Sequence, residues 1–129
     1  MAITPYICVA DARAAIDWYV EHLGATVTFA PMEMPDGRIG HSELCISTTL
    51  GEGRWMMSDA HPEIQVEAPL AGRGAAVTLH LEVDDVDGLA ARAVAGGATL
   101  DRGPEDAGPG RVAVLRDPFG HRWFLNHPA

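Results

Sequence analysis

The stretch VADARAAIDWYVEHLGATV, residues 9–27, decides the reading of this chain, because a degenerate copy of it, VDDVDGLAARAVAGGATL, occupies residues 83–100. Each copy runs from the end of a strand, through a helix, to a glycine stop and a further strand. A second pair of segments keeps the same order: GRWMMSD at residues 53–59 is answered by HRWFLNH at residues 121–127. An offset of roughly seventy residues in both cases marks an internal duplication, and such a repeat constrains the architecture before any single element does. Two copies of one unit placed side by side create a surface between them, so function is expected on the strand faces that look inward.

In the first copy, TPYICV (residues 4–9) reads as a strand and Asp11 is placed to cap a helix that carries Ile16, Tyr19, Val20 and Leu23 on one stripe, with Gly24 as its stop. ATVTFA follows as a short strand. The MPDGR turn, built on Pro35, Asp36 and Gly37, leads into the strands IGHSELCIS and RWMMSD, giving the order βαβββ. Residues 60–75 contain Pro62, Pro69, Gly72 and Gly74 without periodicity and read as a linker. The second copy repeats the order, with VTLHLEV as a strand, Asp85 as N-cap, a small-residue helix over Val86–Ala95, and Gly96-Gly97 as its stop. ATLDR, RVAVLRD and HRWFLNH are its remaining strands, the last two joined by the DPFG turn. GPEDAGPG, residues 103–110, lacks the lysine and helix of a phosphate loop and is expected to be a mobile rim of the cleft. The fold class is α+β: one domain over 1–129, made of a module 1–59, the linker, and a module 76–129, with a curved mixed sheet around a cleft.

The composition restricts the partners. A length of 129 residues suits one domain with a real core. A net charge of −9 with only nine basic residues and no basic cluster argues against nucleic acid or an anionic membrane, and suits a neutral or cationic small molecule. No apolar leader behind basic residues and no long apolar run is present, so a cytoplasmic protein without a membrane span is expected. Cys8 and Cys45 lack CxxC spacing and read as reduced, structural thiols.

Strand alternation sorts the side chains onto two faces. Ile3, Ile7, Val9, Leu44, Ile46, Trp55, Met57, Val77, Leu79, Leu81, Val83, Trp123 and Leu125 fall on the apolar face that packs on the helices. The opposite face carries Thr4, Tyr6, Cys8, His41, Glu43, Cys45, Arg54, Met56, Ser58, Thr78, His80, Glu82, Arg122, Phe124 and Asn126. If the sheet curls around a cavity this face is its lining, with the apolar bodies and few polar groups of a small-molecule site; the alternative is a face turned to solvent or used only for contacts with a second copy. His41 with Glu43, and His80 with Glu82, are i, i+2 pairs whose side chains share a face, a pattern that suits a histidine–carboxylate site or a general base with its orienter. His22, His61, His121 and His127 fall at a helix end, in a loop, in a turn and in the tail, and are expected to be structural or solvated.

The paired βαβββ units, the helix starts VADARAAIDWY and VDDVDGLAARA, the GAT after each helix and the ending DPFGHRWFL resemble the vicinal oxygen chelate superfamily, the group of glyoxalases, dioxygenases and bleomycin-resistance proteins. The resemblance covers essentially the whole chain. It implies a homodimer, and in the enzymes of the group one divalent ion held by His, Gln or Glu at four strand positions. Carried across residue by residue, those positions are Thr4, Met56, Thr78 and Phe124. None supplies the nitrogen or carboxylate donors such an ion requires. No metal and no cofactor are therefore expected, and the resemblance favours the antibiotic-binding branch: a protein that sequesters a hydrophobic or cationic natural product. Tyr6, Cys8, His41, Glu43, Met56, Ser58, Thr78, His80, Phe124 and Asn126 are the expected ligand-binding residues. The alternative is a glyoxalase-type lyase, isomerase or dioxygenase, with His41, Glu43, His80 and Glu82 as its candidate catalytic residues.

Overall fold

Both helices begin and end where local chemistry requires. In the computed structural model, which describes residues 2–128, strand β1 (Tyr6–Val9) leads to α1 (Ala12–Leu23), whose first turn is closed by the Asp11 carboxylate accepting from the Ala14 amide at 3.1 Å. Gly24 ends α1 in the left-handed region at φ 71°, where a side chain would be strained. β2 (Thr26–Glu33), β3 (Ile39–Thr48) and β4 (Gly51–Asp59) complete the first module. After the linker come β5 (Thr78–Glu82), α2 (Val86–Ala95), β6 (Thr99–Ala107), β7 (Gly110–Arg116) and β8 (Arg122–Pro128), and Asp85 caps α2 through the Gly88 amide at 3.0 Å. The two modules form separate four-stranded mixed sheets, ordered β1-β4-β3-β2 and β5-β8-β7-β6.

The register makes the duplication concrete. Tyr6 pairs with Met56, and Met56 with Glu43; His80 pairs with Phe124, and Phe124 with Val114. One core serves both modules: Val9, Ile16, Tyr19, Leu44, Trp55 and Met57 from the first cluster with Leu81, Val83, Ala90, Leu115, Trp123 and Leu125 from the second. Tyr19, Trp55 and Trp123 lie with ring centroids 5.3 to 5.8 Å apart; Trp55 meets both other rings edge-to-face, as aromatic quadrupoles favour, and Tyr19 and Trp123 are tilted by 58°. Beneath them Asp117, 5% exposed, accepts from the Tyr19 hydroxyl, from Trp123 Nε1 at 2.9 Å, from the Phe119 amide within its own DPFG turn and from the His121 amide just after it. A buried carboxylate is tolerable only with such a set of donors. Burial, and then the Asp117 charge, push the Tyr19 phenol well above its ordinary value.

Three expectations are corrected. GPEDAGPG is not a mobile rim: β6 runs through Ala107, paired with β7 from Thr99↔Arg116 to Ala107↔Gly110, and only Gly108 and Pro109 form the turn. The second of two irregularities in that register, between Arg102 and Glu105, spans Gly103 and Pro104, and β6 is an edge strand, where a missing N–H is harmless. Ile3 and Val77, assigned to the core, are 90% and 67% exposed because each precedes the first paired residue of its strand. Thr4 for the same reason lies ahead of β1 rather than on it. The linker holds one short 3-10 turn, Pro62–Ile64, and is otherwise irregular up to β5.

Candidate functional site

Because both helices and the inner sheet faces share one core, the opposite face of each sheet looks outward. On the first module that face centres on a hydrogen-bonded row. Tyr6 donates its hydroxyl to the Gly40 carbonyl at 2.7 Å, His41 Nδ1 meets the same hydroxyl at 2.9 Å, and His41 Nε2 meets Glu43 Oε2 at 3.2 Å. With the phenol proton committed to Gly40, Nδ1 must donate, and Nε2 reaches a carboxylate only as a second donor. All three bonds therefore coexist when both ring nitrogens carry hydrogen. Partial burial, and then the Glu43 charge, hold the Tyr6 phenol above its ordinary value.

Apolar side chains frame that row. Phe29 packs edge-on against His41 with centroids 5.1 Å apart, Met32 stands opposite His41, and Met56 lies between Tyr6 and Glu43. Tyr6, Phe29 and Met32 are 52%, 45% and 49% exposed, an apolar patch larger than scattered surface residues make. Phe29 and Met32 were not among the expected site residues. They reach this face because β2 is bulged between them, so residues three apart oppose Glu43 and His41, two apart; simple alternation would have sent them to opposite sides.

The second module carries a different set. His80 and Phe124 are stacked, centroids 5.4 Å apart and planes 21° from parallel, and Thr78 accepts from Arg122 Nη1 at 2.6 Å. Val112 and Val114, fully covered and outside the helix-side core, form the floor of this face, and Asn126 stands opposite Val112. Arg116 stands opposite Arg122, and the two occupy the places that Cys45 and Arg54 hold in the first module.

Of the remaining expected ligand residues, Cys8 and Ser58 are partners across β1 and β4 and both are buried, Ser58 donating to the Asp59 carbonyl. Burial, then the charges of Asp59 and of Glu67 in the linker, push the Cys8 thiol up, so in the single chain it is a covered and unreactive thiol. His41 and Glu43 are brought together, whereas among the described residues no three His, Cys, Asp or Glu side chains form a group able to hold a metal ion, so His80 and Glu82 do not join them within one chain. The positions the superfamily uses for its ion offer a threonine ahead of β1, a thioether, a hydroxyl already engaged by Arg122, and a phenyl ring, a donor set that does not fit a divalent metal. His61, His121 and His127 each bond a backbone carbonyl, of Asp59, Cys8 and Val83, and His22 packs on Trp18. A hollow of about 360 Å³ is lined by linker residues between Glu67 and Val77, Leu70 and Arg73 among them, and by Gly120 and His121.

The family model of the glyoxalase/bleomycin resistance protein/dioxygenase superfamily matches residues 2–125. The chain belongs to this superfamily. The uncharacterized protein Mb0911c of Mycobacterium bovis is 37% identical over 131 residues, a match that spans 98% of this chain and 83% of that protein. Among solved structures, TioX from Micromonospora sp. ML1 superposes with a TM-score of 0.70 at 24% identity, over 100% of this chain and 97% of its own. TnmS3, an antibiotic binding protein from Streptomyces sp. CB03234, superposes with a TM-score of 0.63 at 26% identity, over 100% and 98%. A glyoxalase I variant from Zea mays superposes at 0.72 with 21% identity, over 96% of this chain and 44% of that one. Among the described residues no helix is long and apolar enough to cross a membrane.

Proposed function

We propose that this protein binds a small, largely planar natural product without transforming it, in a cleft that a second copy of the chain completes, and that sequestration of this kind confers resistance to an antibiotic-like compound. The observation that carries the reading is the pair of outward faces: each has exposed or stacked aromatic surface and a few fixed polar groups, and each is open on one side in the single chain. A twofold-related copy whose second module lay over the first module of this chain would close both faces at once, because the symmetry then repeats the same contact at the other pair. Tyr6, Phe29 and Met56 would enclose the ligand from one side and the His80–Phe124 stack from the other, with Thr78, His41 and Asn126 as polar contacts. The likeness to an antibiotic binding protein supports the same direction.

Sedimentation velocity and a thermal-shift series with planar antibiotics, doxorubicin and actinomycin D among them, test this, each with and without a chelator. A dimer stabilised by a compound in the presence of chelator is the expected result, because a ligand of the native state alone raises apparent stability by mass action. A monomer that no compound stabilises would sink the reading. Stabilisation by a divalent metal alone would favour the enzymatic alternative, for which the Glu43–His41–Tyr6 row is the supporting observation: a dimer would have to bring His80 and Glu82 of one chain to His41 and Glu43 of the other.

A further inference from the structure

The chain has no lysine, and its nine basic side chains are all arginine against 18 acidic residues. Against that acidic background, three of the arginines, Arg73, Arg116 and Arg122, line one cavity of about 540 Å³ with Thr78 and Asp101. Arg116 is neutralised by Asp101 through two parallel bonds of 2.8 and 3.1 Å, which hold the Asp101 carboxyl below its ordinary value. Arg122 is treated differently. Its side chain is fixed by a hydroxyl, Thr78 Oγ1, and among the described residues it has no carboxylate within ion-pair distance; nor has Arg73. Three guanidinium groups and one carboxylate, whose field also reaches Arg122, leave the lining with a net charge of +2 in a protein of net charge −9. A neutral anchor orients a guanidinium without cancelling its charge, and leaves most of its five N–H donors for another partner.

What lies beside Arg122 sets the kind of partner. Phe124 is two residues along the same strand face, and its ring is stacked on His80, so a flat aromatic surface begins where the arginine pair ends. We propose that this cavity binds an oxyanion, a carboxylate or a phosphate, carried on an aromatic ring that lies against the His80–Phe124 stack. The proposal deepens the small-molecule reading above, on which it rests. It also revises the expectation of a cationic ligand: the charge on offer at this cavity is positive, Glu82 standing four residues further along β5 opposite Asn126, and Glu43 in the first module is already engaged by His41. Planar oxyanions match the guanidinium fork in two parallel bonds, a match an ammonium ligand cannot make.

Calorimetric titration of the full chain with 1-naphthoate, 1-naphthyl phosphate and the neutral 1-naphthamide tests it. The acid or the phosphate is expected to bind at least about tenfold more tightly than the amide, and the advantage to shrink as salt is raised. Whichever anion wins identifies the ligand's headgroup. Arg122→Gln should remove the advantage while leaving amide binding, and Arg73→Gln, in an exposed part of the linker where the fold is not at stake, should reduce it several-fold. Equal affinity for acid and amide, or an advantage that survives both substitutions, overturns the oxyanion site and leaves the aromatic cleft standing. Binding of none of the three overturns the assignment as well, and the antibiotic series then judges the cleft by itself.

Discussion

The two modules share a backbone and a core but not a chemistry. Where the first places Tyr6, Glu43 and Cys45 on its outward face, the second places His80, Val114 and Arg116 at the positions the register makes equivalent. The helix sides were kept alike, Trp55 answering Trp123 and Leu44 answering Leu115, because each packs into the same interior. Substitution on the outward face leaves that interior intact, and one half of the duplication has become hydrogen-bonded and acidic while the other has become apolar at its floor and basic at its rim. A duplicated fold of this kind can thus offer two unlike walls to one ligand without two unlike folds.

The sharpest way to break this comparison is to attack what the halves hold in common. Asp117→Ala leaves the Tyr19 hydroxyl, Trp123 Nε1 and two amides without their buried acceptor, and is expected to cost at least about 3 kcal/mol in urea unfolding, with a single transition for both modules. Two separated transitions in the wild-type chain would show that the core is not shared. Next in size is the contrast between the outward faces: Phe124→Ala should weaken 1-naphthoate by about 1 to 3 kcal/mol, and Met56→Ala by clearly less. The reverse order would move the aromatic platform to the first module.

The matched tryptophans sharpen the comparison inside the core. Trp123 Nε1 serves Asp117, whereas Trp55 Nε1 is buried with no partner, so Trp123→Phe should cost about 1 kcal/mol more than Trp55→Phe, which removes an unmet donor. Equal costs would mean that the Asp117 bond adds nothing. A smaller effect is expected in alkali. The Tyr19 phenol is held above its ordinary value, so the stability it carries is complete below about pH 10, where an unfolded tyrosine still keeps its proton, and is lost as pH rises toward the folded value. Stability measured across that range should fall for the wild type and fall less steeply for Tyr19→Phe. The smallest effect belongs to exposed ion pairs. Asp87 is held low by Arg111, so its contribution is present above the usual carboxylate range and disappears as pH falls through the depressed value; Arg111→Gln should flatten the acid limb only slightly, and less at high salt.

The sequence revealed the parts of the molecule governed by short-range rules. Asp11 and Asp85 announced their helices by capping chemistry, Gly24 its stop, and the alternation in β3, β4 and β8 separated Leu44, Trp55 and Leu125 from Glu43, Met56 and Phe124. The edge strands were less legible. Bulges in β2 and β6 break the period on which facing is read, which hid Phe29 and Met32 and made a paired strand look like a mobile loop. The arginine cavity was hidden for another reason: Arg73, Arg116 and Arg122 come from the linker and two strands, and only their three-dimensional closeness turns isolated surface charges into a site. The pairing of Tyr6 with His41 across 35 positions was beyond alternation in the same way.

All three tryptophans lie on the inner side of the sheets or on α1, and each is less than a tenth exposed. Their emission therefore reports on the integrity of the interior and not on direct contact with what occupies the outward faces, with Tyr19 close enough to Trp55 and Trp123 to pass excitation to both. Unfolding would shift it strongly to the red, whereas a ligand on an outward face reaches it only across a sheet, by resonance transfer when that ligand absorbs in the near ultraviolet. The molecule carries a built-in gauge of its own foldedness.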